Sequence, residues 1–316
     1  MKLLISRPLP EAVLTKASAR FDTTIRSETT PMGPEELRAA LRDYDLVLPT
    51  LGDLFSAEVF ADVPEPRAKL LANFGVGYNH IDAATAKAAG IAVTNTPGAV
   101  TDATADTAMT LILMAARRAG EGERMVRAGA WEGWHPTQML GLHVSGKTLG
   151  VIGMGRIGQA IAARCHYGFG MDVVFQNRSP KTLDMPATQL GSIPEVMAAA
   201  DVVVVAVPGS AETHHLIGAE AFAAMRPHGV FVNIARGDVV DEAALIAALE
   251  AGQMGAAGLD VYEFEPKVPE ALIAREDVVL LPHLGTAALE VREAMGLMAL
   301  DNVIAFAEGK PLPNPV

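Results

Sequence analysis

Ten short apolar runs, most of them separated by helix-like segments, constrain the fold of this chain more than any other feature. Alternation of short strands with helices is typical of parallel sheets that are covered by helices on both faces. The runs in the second half are almost continuously apolar, as expected for strands buried on both faces. The predicted strands span residues 2–6, 45–50, 69–74, 91–95, 149–153, 172–175, 202–207, 230–234, 256–260 and 278–281. The sequence therefore predicts an α/β protein.

The order of these segments predicts two doubly wound parallel-sheet domains. The last six strands are enough for a complete dinucleotide-binding Rossmann sheet. A helix predicted at 287–308 is long enough to return to the first four strands, which would form a flavodoxin-like domain. Another long helix, predicted at 101–118, precedes the Rossmann strands. We therefore predict a discontinuous first domain, 1–100 plus 287–316, with the Rossmann domain at 101–286 inserted in it.

Length, charge and cysteine content exclude several classes of protein. At 316 residues, half of them hydrophobic, the chain is long enough for two domains with ordinary cores. Its net charge of −12 argues against nucleic-acid binding, which needs a basic surface. Cys165 is the single cysteine, so an internal disulfide is excluded and a reducing compartment is favoured. Since no stretch resembles a signal peptide or approaches the ~20 apolar residues of a membrane span, we expect a cytoplasmic protein without membrane contacts.

The segment 153–158 reads GMGRIG and lies directly between a predicted strand and a predicted helix. In such a turn the first glycine permits the bend, the second lets a pyrophosphate approach the backbone, and the third lets helix and strand pack closely. The positive N-terminal end of the helix then points toward the phosphates. Glycines also occur in ordinary strand–helix turns, so the flanking strand and helix carry the prediction. We predict that a dinucleotide cofactor contacts Gly153, Met154, Gly155, Arg156, Ile157 and Gly158.

The end of the next predicted strand indicates which nicotinamide cofactor is preferred. Sites for NAD usually carry Asp or Glu there, to bind the ribose 2′-hydroxyl. This chain has Asn177, Arg178 and Ser179 instead, without a carboxylate. Their neutral and cationic donors suit a 2′-phosphate, although an ordinary solvated loop with one incidental arginine is the alternative. We predict NADP(H) as the preferred cofactor, with NAD(H) possible.

Three polar residues, Arg236, Glu265 and His283, follow three consecutive apolar runs in the second half of the chain. Because the carboxyl ends of parallel strands meet at one edge of a sheet, we expect these side chains to gather where open α/β sheets bind ligands. Arginine can hold a carboxylate in a planar fork, and histidine titrates near neutral pH and can donate a proton. A neighbouring carboxylate would orient the imidazole and favour its charged form. Together they predict a site that reduces a 2-oxo acid.

Other site chemistries find less support in the sequence. No HExxH pattern occurs among the eight histidines and Cys165 has no cysteine partner, so no metal site is predicted. The absence of a GxSxG segment argues against a serine hydrolase. Cys165 is expected in a helix core, and the pair His214-His215 in a loop or at a helix start. Each of the three polar residues alone could be structural, so their joint placement carries the prediction.

Beyond these separate motifs, the sequence resembles the D-2-hydroxyacid dehydrogenase family over nearly its whole length. The resemblance rests on six blocks: FGVGYNHID (74–82), VTNTPGAVTDATADTAMTLIL (93–113), GKTLGVIGMGRIG (146–158), VNIARGDVVDEAAL (232–245), GLDVYEFEP (258–266) and LPHLGTAA (281–288). It implies that Arg236, Glu265 and His283 are the catalytic residues.

The resemblance also implies further site residues. The backbone amides of Val76 and Gly77 would bind the substrate carboxylate. Apart from the resemblance, we expect Leu51 to narrow the substrate site together with Trp134, which lies in the segment 129–146, predicted to be irregular. The remaining cofactor contacts would come from Thr107, Pro208, Thr213, Ile234, Ala235, Gly285 and, at the nicotinamide carboxamide, Asp260.

Finer features indicate a branch of the family. The segment 129–150 and the turn at Asn177 resemble glyoxylate/hydroxypyruvate reductases, and Glu265 stands where formate dehydrogenases of this fold carry Gln. Phosphoglycerate dehydrogenase activity remains an alternative, as does a nucleotide-sensing protein resembling transcriptional corepressors of the same fold. Where the family often has His-x-Pro, this chain reads AVPG at 206–209. The resemblance implies a homodimer with a small 2-oxo acid as substrate.

Overall fold

The computed structural model describes residues 1–316 and divides the chain into two compact units, Met1–Val100 with Thr286–Val316, and Thr101–Gly285. The first unit is discontinuous, because its C-terminal segment follows the whole of the second unit in sequence. None of the helices combines the length and the apolar character that crossing a membrane would require.

The first unit is built on five parallel strands. They are β1 (Lys2–Ile5), β2 (Asp22–Ile25), β3 (Leu46–Leu48), β4 (Leu70–Ala72) and β5 (Ala92–Thr94). Their order in the sheet is β2-β1-β3-β4-β5, the doubly wound order of flavodoxin-like domains. The four strands predicted in this part of the chain are confirmed. The edge strand β2 is missing from the prediction because three of the four residues in its sequence, DTTI, are polar and the strand is mostly exposed.

Five helices cover this sheet. They are α1 (Glu11–Ser18), α2 (Pro34–Asp43), α3 (Ala57–Ala61), α4 (Ala83–Ala88) and, at the end of the chain, α12 (Leu289–Ala307). The last helix, predicted at 287–308, packs closely on α1, since a Cβ added at Gly296 would lie 2.6 Å from Cγ2 of Val13. The C-terminal helix is therefore an integral part of the first unit's core.

The second unit contains a sheet of seven parallel strands. They are β6 (Thr148–Ile152), β7 (Asp172–Gln176), β8 (Thr188–Gln189), β9 (Val202–Val205), β10 (Val230–Asn233), β11 (Ala256–Leu259) and β12 (Val278–Leu280). Their order is β12-β11-β10-β9-β6-β7-β8. The six predicted strands are confirmed, but the dinucleotide-binding order 3-2-1-4-5-6 is completed by the exposed two-residue strand β8, which the prediction lacks. The predicted strand β12 is a seventh, added at the opposite edge.

Seven helices belong to the second unit. They are α5 (Thr101–Ala116), α6 (Ala119–Arg127), α7 (Arg156–Phe169), α8 (Ile193–Ala199), α9 (Ala219–Ala223), α10 (Glu242–Glu250) and α11 (Glu270–Ile273). The helix predicted at 101–118 ends two residues earlier, because Arg118 adopts a left-handed backbone with φ of 52° and leads into α6. Residues 130–147 contain neither helix nor strand, which confirms the irregular segment.

Two apolar layers bury the faces of the second sheet. Side chains of α5 and α7 pack on one face, and those of α8, α9 and α10 on the other. Cys165 of α7 is fully buried, as predicted, and burial raises the pKa of its thiol to about 12. With both faces closed in this way, the carboxyl ends of the strands are left as the open edge of the unit.

Candidate active site

The three polar residues that follow apolar runs come after strands that are neighbours in the sheet. β10 pairs with β11, and β11 with β12, all in parallel. Arg236 lies three residues after β10, Glu265 six residues after β11 and His283 three residues after β12. The strand ends therefore direct all three residues to one edge of the second unit.

His283 and Glu265 form a hydrogen-bonded pair. Nδ1 of His283 lies 2.9 Å from Oε2 of Glu265, and the backbone N–H of Tyr262 donates to Oε1 at 3.1 Å. Burial raises the pKa of Glu265, but the hydrogen bond and charge of His283, with the charge of Arg236, outweigh burial and hold the pKa below its usual range. Glu265 is therefore ionised at neutral pH and engages Nδ1, which leaves Nε2 of His283 to face a reactant.

The backbone around His283 is held by Asp260. His283 has a left-handed φ of 56°, which is uncommon for a residue other than glycine, and its N–H donates to the carbonyl of Asp260 at 2.9 Å. The buried carboxylate of Asp260 accepts from the N–H groups of Leu284 at 2.6 Å and Gly285 at 2.8 Å. Burial raises the pKa of Asp260, although these hydrogen bonds and the charge of His283 oppose the rise. Asp260 thus anchors the turn that carries His283, a role absent from the sequence prediction.

The turn that carries Arg236 is shaped by residues that the sequence analysis does not single out. Nδ2 of Asn233 donates to the carbonyl of Arg236 at 2.9 Å, and Oδ1 of Asn233 accepts a backbone N–H at 3.0 Å. A Cβ at Gly237 would lie 1.8 Å from the carbonyl carbon of Tyr262, and one at Gly209 would lie 2.7 Å from Cγ of Arg236. Only glycine permits such approaches. The glycine directly after the arginine is the signal in the sequence that points to this close packing.

The guanidinium of Arg236 is part-buried and donates from Nη1 to the carbonyl of Ala235 at 2.8 Å. Burial lowers the pKa of Arg236, and the charges of Glu265 and Asp238 act in the opposite direction. Arginine stays protonated in proteins, so a partly desolvated cation acts on the same carboxylate that pairs with His283. A cation of this shape can bind a carboxylate or a carbonyl oxygen in a planar fork.

The glycine-rich turn between β6 and α7 fits a bound pyrophosphate. Gly153 has φ of 98°, and a Cβ there would lie 2.7 Å from Cγ1 of Val207, which belongs to the AVPG segment. A Cβ at Gly158 would lie 2.2 Å from a backbone oxygen, whereas one at Gly155 would meet nothing within 4 Å. The first and third glycines therefore allow close packing, and the second faces open space. Helix α7 begins at Arg156 without a side-chain cap, so its first N–H groups are available to an anion.

The turn after β7 separates the three residues predicted to select the cofactor. Oδ1 of Asn177 accepts from the N–H of Met154 at 3.1 Å, and Nδ2 donates to the carbonyl of Ser179 at 2.8 Å. Nη1 of Arg178 lies 2.8 Å from Oε2 of Glu212, and both side chains are exposed. Asn177 thus ties this turn to the glycine-rich turn, while Arg178 is paired with a carboxylate that the sequence analysis does not consider.

The other predicted cofactor contacts lie mostly after neighbouring strands. The hydroxyl of Thr213 donates to the carbonyl of Pro208 at 2.8 Å and closes the loop after β9. Ile234 and Ala235 are buried directly after β10. Because β6, β9 and β10 are adjacent in the sheet, these four residues share an edge with the glycine-rich turn. Thr107 lies in α5, where its hydroxyl donates to a carbonyl of the preceding helical turn at 3.1 Å.

The residues predicted to contact substrate lie in both units. In the first unit, Leu51 follows β3, while Val76 and Gly77 follow the neighbouring strand β4. In the second unit, the Trp134 side chain is 79% exposed within the irregular segment. The carboxyl edge of the first sheet therefore carries Leu51, Val76 and Gly77. Trp134 is exposed on the second unit.

A second cluster of titratable side chains contains His214, His215 and Glu263. Their possible ligand atoms lie within 4.8 Å of one another, and Nε2 of His215 lies 2.8 Å from Oε1 of Glu263. The two imidazoles stack with ring centroids 4.0 Å apart and an interplanar angle of 21°. Nearly parallel rings direct their nitrogen lone pairs along nearly parallel planes, which is unsuited to a tetrahedral metal site. This histidine pair lies in a loop, one of the two placements predicted for it.

Comparisons with known proteins agree with this arrangement. A family model for the D-isomer specific 2-hydroxyacid dehydrogenase, NAD binding domain, matches residues 109–285. The glyoxylate reductases of Thermococcus gammatolerans and Pyrococcus furiosus are each 40% identical to this chain, over 100% of its length and 95% of theirs. The crystal structure of the NADPH-dependent glyoxylate/hydroxypyruvate reductase from Sinorhizobium meliloti, in complex with NADP and malonate, is 35% identical with a TM-score of 0.89. That similarity covers 100% of this chain and 96% of the other.

Proposed function

This chain belongs to the D-isomer specific 2-hydroxyacid dehydrogenase family, and on that premise we propose that it reduces glyoxylate or hydroxypyruvate to the 2-hydroxy acid with NAD(P)H. The observation that carries the proposal is the pair of His283 and Glu265, 2.9 Å apart, with the charge of Arg236 acting on it. Reduction of a 2-oxo acid needs a group that binds the anion and a group that delivers a proton. Arginine and a carboxylate-supported histidine supply these two functions.

In the proposed reaction, the glycine-rich turn and the first N–H groups of α7 would hold the nicotinamide cofactor, which would supply the hydride for reduction of the substrate carbonyl. Arg236 binds the substrate through its carboxylate and carbonyl oxygens and so polarises the carbonyl. His283 transfers a proton from Nε2 to the carbonyl oxygen as the new C–H bond forms, which completes the hydroxyl group. Glu265 keeps the imidazole oriented while the proton leaves, through its hydrogen bond to Nδ1.

For the cofactor, we propose a preference for NADP(H). The support is the turn after β7, which carries Arg178 and Ser179 and no carboxylate of its own, and the NADPH dependence of the Sinorhizobium meliloti relative. Glu212 opposes this preference, because its carboxylate lies 2.8 Å from Arg178 and competes with a 2′-phosphate for the guanidinium. We propose that Glu212 moderates the preference rather than reverses it.

The cofactor proposal is tested by binding rather than by turnover. Glu212→Gln should tighten NADPH by about threefold and leave NADH unchanged, while Arg178→Gln should weaken NADPH by about tenfold, since a charge-assisted contact to phosphate is lost. Nicotinamide fluorescence gives both dissociation constants. Equal losses of NADPH and NADH affinity in Arg178→Gln would contradict the assignment.

For the assembly, we propose a homodimer that uses the irregular segment. Three large apolar side chains are exposed there: Trp131 at 53%, Trp134 at 79% and Leu140 at 68%. Clusters of exposed apolar side chains mark interaction surfaces. Light scattering of the purified protein should give twice the chain mass of 33.2 kDa, and a single-chain mass at micromolar concentration would contradict the proposal.

The proposed activity is tested by mixing purified protein with glyoxylate or hydroxypyruvate and following the nicotinamide absorbance with NADPH and NADH side by side. Rapid loss of NADPH with slower loss of NADH is expected. Loss mainly of NADH would keep the reduction and contradict the cofactor preference. No loss with either substrate, in a protein that binds the cofactor, would contradict the proposed activity and favour a nucleotide-sensing role.

A further inference from the structure

The carbonyl groups of the loop after β4 are held by two asparagine side chains. Nδ2 of Asn73 donates to the carbonyl of Gly75 at 3.0 Å and to that of Gly77 at 3.0 Å. Nδ2 of Asn95 donates to the carbonyl between them, that of Val76, at 2.9 Å. Three consecutive carbonyls are therefore drawn toward side-chain amides of the first unit.

This arrangement determines where the peptide N–H groups point. In a trans peptide the C=O and N–H bonds point in opposite directions. The N–H of Val76 therefore points away from Asn73, and the N–H of Gly77 away from Asn95. Neither N–H donates to an acceptor within the chain. Two successive outward N–H groups of this kind form a concavity that suits an anion.

The orientation of Asn73 is itself fixed by His80. Asn73 is fully buried, His80 is 7% exposed, and Nε2 of His80 lies 3.0 Å from Oδ1 of Asn73. Because both hydrogens of Nδ2 are engaged by carbonyls, Oδ1 must accept, so Nε2 of His80 carries the proton. With Nδ2 donating to two carbonyls and Oδ1 accepting from His80, the buried amide of Asn73 is held in one orientation.

We infer that Asn73, oriented by His80, and Asn95 are positioning residues that hold the amides of Val76 and Gly77 ready for the carboxylate of the substrate. The inference rests on the proposed function, because the anion is the 2-oxo acid. Hydrogen bonds to a carboxylate are charge-assisted, and holding their donors in place beforehand removes an ordering cost from substrate binding. The role assigned to the three side chains is to orient the loop, and it requires no contact between them and the substrate.

The decisive variant is Asn73→Asp, which keeps the size of the side chain and replaces two donors by a carboxylate that can only accept. The carbonyls of Gly75 and Gly77 then lose their donors and meet a negative charge, so the outward N–H groups lose their fixed direction. The KM for glyoxylate and the dissociation constant of oxamate, an unreduced analogue, should each rise at least about tenfold. The kcat should change less, and NADPH affinity should stay within about twofold.

Two further variants separate positioning from general loss of stability. Asn95→Ala releases only the carbonyl of Val76 and should give a smaller rise, about threefold, in the same two quantities. If Asn73→Asp does not fold, Asn95→Ala tests the positioning role by itself. Leu71→Val opens a small cavity in the same strand without touching the loop, since Leu71 is fully buried in the core. At a matched loss of thermal stability, this control should keep the wild-type KM and oxamate affinity.

The outcomes distinguish this inference from the proposed function. If folded Asn73→Asp and Asn95→Ala both bind oxamate and glyoxylate within about twofold of wild type, the positioning role is overturned while the activity stands. If wild-type protein with bound NADPH neither reduces glyoxylate nor binds oxamate, the proposed function fails and the inference with it.

Discussion

Two histidine–glutamate pairs of nearly the same geometry lie in the second unit. Nδ1 of His283 is 2.9 Å from Glu265, and Nε2 of His215 is 2.8 Å from Glu263. Both histidines have a left-handed backbone, with φ of 56° and 50° respectively. The geometry of such a pair therefore does not distinguish a proton donor from an ordinary contact near the surface.

The surroundings of the two pairs differ. His283 follows the edge strand β12, its backbone is hydrogen-bonded to Asp260, and the charge of Arg236 acts on its glutamate. His215 lies in the loop after β9 and stacks on His214. The hydrogen bond to its glutamate raises the pKa of His215, and the nearby charges that act on it are all acidic. Of the two pairs, the one with a neighbouring cation, His283 and Glu265, is suited to an anionic substrate.

The largest expected effect is a difference in kcat between substitutions of the two histidines. His283→Asn should lower kcat for glyoxylate by about 10²- to 10⁴-fold, because the proposed proton donor is lost. Asparagine is chosen because it tolerates a left-handed backbone better than most residues. The matched control, His215→Asn, has the same backbone requirement and should keep kcat within about twofold. Steady-state rates of the two variants test this difference in kcat, with NADPH affinity measured on each. Equal losses of kcat in the two variants would contradict the distinction between the two histidines.

The second-largest effect is expected from Arg236, the cation whose charge acts on the pair of His283 and Glu265. Arg236→Lys keeps the charge and loses the planar fork, so the KM for glyoxylate should rise by at least about tenfold. Oxamate affinity should fall in parallel while NADPH affinity is retained. Substrate titrations at saturating NADPH give these values. A KM within about twofold of wild type would mean that the anion is bound elsewhere.

A smaller effect is expected from the two glutamates. The pKa of Glu265 is below its usual range, so this carboxylate stays ionised, and its stabilising interaction is lost only as pH falls through the lowered value. Glu265→Gln removes the carboxylate that accepts from His283, so reduction should be about tenfold slower. The loss of kcat that the wild type shows as pH falls through the lowered pKa of Glu265 should be absent from its pH profile. Glu263→Gln should leave the pH profile of kcat unchanged. Profiles that shift equally in both variants would contradict the assignment.

The smallest expected effect is on thermal stability, and it comes from the pair of His215 and Glu263. Since the folded-state pKa of His215 is raised, the contact with Glu263 stabilises the fold below the unfolded-state pKa and is lost as pH rises through the folded-state value. His215→Asn should therefore lower the Tm slightly at about pH 5.5 and leave it unchanged at about pH 9. Thermal unfolding at the two pH values checks the sign, and a larger loss at alkaline pH would reverse it.

The strands that the sequence predicts correctly are those buried on both faces. β2 and β8 escape prediction because they are polar and exposed at sheet edges. The edge placement of Arg236, Glu265 and His283 follows from pattern alone, since each comes after a buried parallel strand. Residues that act through contacts between distant segments leave weaker signals.

Asn73 and Asn233 illustrate this limit. Each is a buried asparagine whose side chain holds backbone carbonyls of a nearby loop. Gly237 acts by the absence of a Cβ where another loop approaches. A side chain that holds a carbonyl and a glycine that makes room for another loop have no periodicity or spacing that can be recognised in the sequence. Their partners are brought together only when the chain has folded.

The central claim is tested most directly by a single turnover. Protein loaded with NADPH that carries deuterium at both positions of nicotinamide C4 is mixed with excess glyoxylate, and product and absorbance are followed together. We predict loss of the nicotinamide band with one glycolate per bound cofactor, each with one deuterium on carbon, and much slower transfer in His283→Asn at equal cofactor occupancy. A wild-type complex that keeps its NADPH band in the presence of glyoxylate and hydroxypyruvate, or a His283→Asn complex that transfers deuterium at the wild-type rate, would contradict the account.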